Sequence, residues 1–420
     1  MNIPLCLVCI LLVPLATAGL ALIHQGLGRS RSAAHAMLAT LCAVSIAAIV
    51  FVLIGSAWAG YAGGAAHNVQ FAGRTWDWLG AEPFLAAKLL KTPYAGLALA
   101  LQVFAVGLAS LIPISAGTDR WRLGAICASS AALAAVAYPV FSHWVWGSGW
   151  LAQLPTLFGL PAFVDAGGGA TVQVVGGLAA LSVAWILGPR KGKYADGMAT
   201  AIPGHNIVLV LFGCLLALVG WIGLEAAAST LFYGALPLQL VGIAVDAMLS
   251  AASGFLAALL ITQLRYRKPD ASLSANGWIA GLVAGSAGCG QFSPLETVFV
   301  GLVAGSLVTF AVEMLELKLL IDDPGGAISV HLGAGLWGVF AVSLFAPTTS
   351  RMALILSQLI GIATLLGLML PLIHGLNLLL NRLIPFRVDR DGDWQGMDIR
   401  ELGAGAYPEF VIHADEFVPR

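Results

Sequence analysis

Eleven long apolar stretches constrain this chain more than any other feature. They lie at roughly residues 4–27, 33–60, 94–115, 123–147, 168–188, 205–227, 235–262, 274–290, 295–318, 327–346 and 352–380. A helix needs about 20 apolar residues to cross the hydrocarbon layer of a bilayer. No water reaches that layer, so each stretch must satisfy its own backbone, which a helix does. The predicted architecture is an all-α integral membrane protein of eleven transmembrane helices. Long apolar helices exclude an outer-membrane barrel, and the expected location is the cell inner or plasma membrane, crossed many times. Charged residues are only 10% of the chain, against about 25% in soluble domains. The 50 glycines suit close helix packing in lipid. A net charge of −1 offers nucleic acid no electrostatic footprint. All six cysteines (Cys6, Cys9, Cys42, Cys127, Cys214, Cys289) fall in apolar runs. Buried free thiols are expected, not a disulfide framework.

The first run contains Ala16-Thr17-Ala18, which imitates a signal-peptidase site. No basic residue precedes it and the run continues past Ala18, so it reads as a retained first helix. Lys and Arg set the orientation. With the N-terminus outside, the inner loops hold Arg29, Arg31, Arg120, Arg122, Arg190, Lys191, Lys193, Arg265, Arg267, Lys268 and Lys318. The C-terminal segment adds Arg382, Arg387, Arg390, Arg400 and Arg420 on the same side. Only Arg74, Lys88, Lys91 and Arg351, of 20 such residues, fall outside. The prediction is N-out and C-in. Residues 1–384 form the transmembrane domain and 385–420 a polar cytoplasmic tail, either disordered or docked on the inner surface.

In the outer segment 61–93, Trp76, Trp78 and Phe84 are expected to form an aromatic belt at the interface. His143-Trp144-Val145-Trp146-Gly147-Ser148-Gly149-Trp150 is denser in rings than anchoring requires. A ring there can line a vestibule and hold a cation by its π face. Gly281–Ser286 recurs as Gly301–Ser306, small-xxx-small patterns that predict tight packing of the eighth and ninth helices.

Two stretches answer each other. Asp165-Ala166-Gly167-Gly168-Gly169-Ala170-Thr171-Val172-Gln173 and Asp323-Pro324-Gly325-Gly326-Ala327-Ile328-Ser329-Val330-His331 both begin with an acid. Each places a polar side chain eight residues later, about 12 Å further along a helix. Gln173 and His331 would then lie near the bilayer midplane, where polar groups are costly and functional. They read as the lining of a conduction path. A neutral imidazole both donates and accepts, whereas an amide cannot take a proton. The natural passenger is a small polar neutral molecule, or a cation that sheds its proton on entry. The two helices run in opposite directions, which points to two inverted five-helix repeats plus a final helix. Asp165 reads as a helix cap or a cation attractor. Glu225, Asp246, Glu296, Glu313 and Glu316 are expected to pair with neighbours or to face a cavity. No nucleophile–base arrangement, phosphate loop or metal cluster is present, so an enzyme, a metal and a cofactor are not expected.

In these residues the chain resembles the ammonium transporter (Amt/Mep/Rh) family. Besides the two stretches above, Gly188-Pro189-Arg190-Lys191-Gly192, His205-Asn206-Ile207, Gly220-Trp221-Ile222-Gly223-Leu224-Glu225, Asp322-Asp323-Pro324 and Gly396-Met397-Asp398 with Ala406-Tyr407-Pro408 are similar to family motifs in family order. The resemblance implies a homotrimer with one pore per subunit, ammonium or ammonia as passenger, and a PII-type regulatory protein as partner at the cytoplasmic face. It implies Trp146 at the outer site, Asp165 as the structural acid and His331 as the second pore histidine. Gln173 stands where the family has its first pore histidine. Leu224 stands for the inner gate Phe, Ala228 for the site Ser, and Glu225 for Asn. Phe104, next to Ala105, compensates from one position along for the missing outer aromatic. The alternative readings are an ammonium-binding sensor, or a channel or carrier for another small polar solute, on the same scaffold.

Overall fold

The computed structural model describes residues 2–61, 66–86, 92–195 and 198–407. Lys88, Lys91, Pro408 and Arg420 lie outside the described residues. Among those described, ten helices are long and apolar enough to cross a membrane. They are α1 (Ile3–Leu27), α2 (Ser30–Ala59), α3 (Pro93–Gly117), α4 (Leu123–Val145), α5 (Gly169–Leu187), α6 (Ile207–Tyr233), α7 (Pro237–Tyr266), α9 (Pro294–Lys318), α10 (Ile328–Phe345) and α11 (Arg351–Leu383). The eighth expected span is present as a shorter helix, α8 (Ala271–Ser286), of 16 residues. Asp270 fixes its start by accepting from the Leu273 N–H at 2.8 Å. At the other end the chain turns through Gly290 at φ +71°, a left-handed conformation that a side chain would oppose. The sixth and seventh helices run past their expected ends, to Tyr233 and Tyr266.

Large apolar side chains such as Leu11, Leu41, Val208, Leu238 and Met352 point outward and are exposed. The interior mixes large side chains such as Trp221, Phe51 and Leu101 with many alanines, small residues that let helices approach closely. The helices that carry the recurring glycine runs, α8 and α9, pack against each other as expected, and their glycines make their closest approaches to a third helix. A Cβ on Gly281 or Gly301 would strike Ser250, and one on Gly305 would strike Gly254. Both runs therefore close on α7, which lies against α8 and α9 together.

Three further expectations are corrected. The fold is mostly helical but not all-α: β1 (Ala66–Phe71) and β2 (Arg74–Gly80) form an antiparallel hairpin. The hairpin folds its tryptophans inward instead of setting them in a belt. Trp76 lies 5.7 Å from Trp150 and Trp78 lies 5.6 Å from Trp144, while the Trp144 indole donates to the Trp78 carbonyl at 2.8 Å. Phe84 alone of the three is exposed. All six cysteines are free, as expected, but Cys42 and Cys127 are only half-buried.

The tail docks at the bundle end opposite the hairpin. Trp121 and Arg387 form a β-bridge, followed by short helices α12 (Arg390–Gln395) and α13 (Asp398–Leu402). The buried Asp398 accepts from the N–H groups of His35 at 2.8 Å and Ala34 at 3.2 Å. These are orphan donors near the start of α2.

Candidate functional site

Asp165 and Asp323 play the same part at the heads of α5 and α10. Asp165 accepts from the N–H groups of Ala170 at 3.1 Å and Thr171 at 2.7 Å. Asp323 accepts from those of Ala327 at 3.0 Å and Ile328 at 2.7 Å. Each carboxylate thus forks onto two successive orphan donors. Both helices begin with wide π-helical turns, Gly169–Val174 and Ile328–Ala334, a geometry concentrated at functional sites.

The side chains eight residues beyond the two acids meet. His331 Nδ1 lies 2.8 Å from Gln173 Oε1, and both residues are buried. An amide oxygen only accepts, so Nδ1 carries the proton and Nε2 keeps its lone pair. Gln173 Nε2 is buried and finds no hydrogen-bond partner among the described residues. The pair therefore presents free N–H donors beside an imidazole acceptor. That suits a small neutral molecule able both to donate and to accept; an ion would pay for lost hydration at this depth.

Trp146 stands at the head of the same helix. Its indole donates to the Asp165 carbonyl at 2.8 Å. Its face stacks on Phe232, with ring centroids 4.7 Å apart and planes 11° from parallel. The Tyr61 ring lies 5.6 Å beyond Phe232, with its hydroxyl bonded to Ser142. Gly168, at φ +88°, passes beside Trp146 where a Cβ would press on Val172 and the indole. These three rings can attract a cation by their faces.

Leu224, Ala228 and Phe232 follow one another at intervals of four along α6 and so share a face. Leu224 and Ala228 are fully buried. Ala105 is buried on α3, but Phe104 is half-buried and pairs with no ring among the described residues. The aromatic partner of Trp146 is Phe232, not Phe104.

The other acids divide as follows. Glu225 accepts from Ser286 Oγ at 2.8 Å, and Ser286 in turn receives the Trp221 indole N–H at 2.9 Å. Asp246 is buried on α7. Glu296 caps its own helix with Ser293, Glu313 pairs with Arg265 at 2.9 Å and Glu316 with Lys193 at 2.7 Å.

At the tail end the loops are locked by buried charge. Arg190 grips Asp322 through Nε at 2.9 Å and Nη2 at 3.0 Å, and reaches Asp119 at 3.1 Å. Arg120 donates to the carbonyls of Gly188, Thr118 and Asp322. Burial alone would raise the Asp322 carboxyl, but Arg120 and Arg190 outweigh it and hold it at about 2. Burial lowers Arg120 to about 10, with Asp322 opposing the drop.

The model of the Ammonium Transporter Family matches residues 5–407. Ammonium transporter Amt2 of Archaeoglobus fulgidus is 33% identical over 98% of this chain and 89% of its own. The Bacillus subtilis ammonium transporter is 29% identical over 96% and 97%. The chain belongs to the ammonium transporter family. Among solved structures, a protein titled Sensor Amt Protein superposes with a TM-score of 0.87 at 26% identity, covering 96% of this chain and 98% of that one. Candida albicans Mep2, at 24% identity over 91% and 85% of the two chains, shares the fold with a TM-score of 0.79.

In this family member Trp146 is bonded to Asp165 at the head of α5, and Gln173, further along that helix, is bonded to His331 of α10. All four stand among the candidate residues named from the sequence. Sequence reasoning missed Phe232 and Tyr61, although Phe232 stands one helical turn beyond Ala228.

Proposed function

We propose that this ammonium transporter family member carries ammonium across the membrane by passing neutral ammonia along the Gln173–His331 line. The observation that carries the reading is the 2.8 Å contact between these side chains, each on a helix capped in the same way. Ammonium would first be held against Trp146, Phe232 and Tyr61. Its proton stays in the outer water, because the Gln173 amide has no useful basicity. The ammonia left behind then meets the amide N–H donors and the bare His331 Nε2.

The wider architecture is proposed with it. We read the hairpin end as outside and the tail end as cytoplasmic, with α8 as the eleventh crossing and the helices arranged as two inverted five-helix repeats plus α11. The matched acid caps of α5 and α10 support the repeat. Residues 1–384 act as the transport domain and 385–420 as the cytoplasmic tail. The family supports a homotrimer in a cell inner or plasma membrane, and the docked tail is the face open to a PII-type regulator.

The test is uptake of labelled methylammonium by cells lacking other ammonium carriers, paired with ammonium and potassium pulses to purified protein on a solid-supported membrane. Wild type is expected to take up methylammonium with no sustained ammonium current. Absent uptake, with protein present in the membrane, refutes transport. A sustained wild-type current refutes the neutral route.

A further inference from the structure

His24, on α1, belongs to none of the motifs above, yet the fold brings it to the inner part of the same line. The Leu27 side chain lies 3.8 Å from where a Cβ on Gly325 would stand. From that approach of α1 to Gly325, one turn back along α1 reaches His24 on the same helix face as Leu27. Moving inward from Gly325 along the other element reaches His331. The two rings fall within electrostatic reach of each other. His24 is 3% exposed and its Nδ1 has no hydrogen-bond partner. Buried ring nitrogens are normally paired, and a site visited by a transient ligand accounts for one that is not.

The next residue ties this place to the tail. Gln25 Nε2 donates toward His205 Nε2 at 3.2 Å, and the Tyr407 hydroxyl lies 3.1 Å from that same nitrogen. His205 Nδ1 donates to the Gly28 carbonyl at 3.1 Å, which leaves Nε2 as the acceptor for both. His205 and Gln25 are thus engaged with each other, while His24 Nδ1 finds no such partner among the described residues.

We propose that His24 is the second imidazole of the conduction path, the hydrogen-bonding partner that receives ammonia after His331. This chain would then keep two imidazoles in line, displaced one step inward relative to Gln173. The proposal rests on the transport reading above. It is tested by methylammonium uptake, normalised to protein in the membrane, for wild type, His24→Leu and His24→Gln. Losing one hydrogen-bonding partner in the path is expected to lower uptake about tenfold in His24→Leu. His24→Gln, which keeps a donor and an acceptor, is expected to retain most of the wild-type rate. His24→Leu within about twofold of wild type overturns the proposal, as does an equal loss in both variants, which would mark a packing role. Wild type without uptake overturns the transport reading and this proposal with it. Wild-type uptake unaffected by His24→Leu overturns this proposal alone.

Discussion

Replacing Arg190 by alanine removes three side-chain hydrogen bonds from the tail-end loops at once, those to Asp322 at 2.9 and 3.0 Å and to Asp119 at 3.1 Å. The side chains of Arg190 and both partners are no more than 2% exposed, so water cannot take over. Asp322 would keep its bond from the Arg190 main chain and a charge contact with Arg120 at 3.8 Å. Asp119 would keep the Arg29 N–H at 3.1 Å and that residue's guanidinium at 3.8 Å. Breaking one side of a buried ion pair costs about 3–5 kcal/mol. With an unfolding entropy of about 2.1 cal/mol/K per residue, the chain loses stability by roughly 0.9 kcal/mol per kelvin, so melting should fall by about 3–6 °C. The assay is tryptophan fluorescence of detergent-solubilised protein during heating. Arg265→Ala is the control: its pair with Glu313 is as short, 2.9 Å, but far more exposed, and exposed pairs add little. A loss below about 1 °C for Arg190→Ala, or an equal loss in the control, would refute the reasoning.

Acid should unfold the same region in a defined window. The folded Asp322 carboxyl is held at about 2, below its ordinary 3.8, so its contribution is complete above the ordinary value and is lost as pH falls through the folded one. Melting temperature followed against pH should fall between about pH 4 and pH 2, and Asp322→Asn should flatten that fall. Phe232→Ala removes the ring stacked on Trp146 and should raise the half-saturating ammonium concentration about 3–30-fold, the worth of a cation–π contact; an unchanged value would exclude the aromatic site. Asp398→Ala should uncap the start of α2 at a cost of about 1 kcal/mol, read as about fivefold faster amide exchange at residues 34–36; unchanged exchange would mean that water replaces the carboxylate.

The positions of the helices were legible because each had to be apolar for about 20 residues. The shortness of α8 was not, because it is set by the Asp270 cap and the turn through Gly290, not by hydropathy. The Asp165–Gln173 and Asp323–His331 offsets were legible as a repeated spacing, and the fold turned that spacing into a contact. What escaped were approaches between residues far apart in sequence. Nothing near Phe232 announces Trp146. The hairpin tryptophans read as a belt because composition shows that rings are present but not that they face one another. The glycine runs predicted the packing of α8 and α9, but not that both close on α7, because a small-residue pattern marks a close approach without naming everything that comes close.

The docking of Asp398 also says something about how the protein is made. The carboxylate that caps α2 lies 363 residues downstream of the N–H at His35 that it satisfies. At a synthesis rate of about 5–20 residues per second, roughly 20–70 s pass between the appearance of the two partners. Throughout that time the donors near the N-terminal end of α2 stay open to water. Closure of that end is a late event in the life of each new chain. It reports that synthesis has run past all the long apolar helices and reached Asp398.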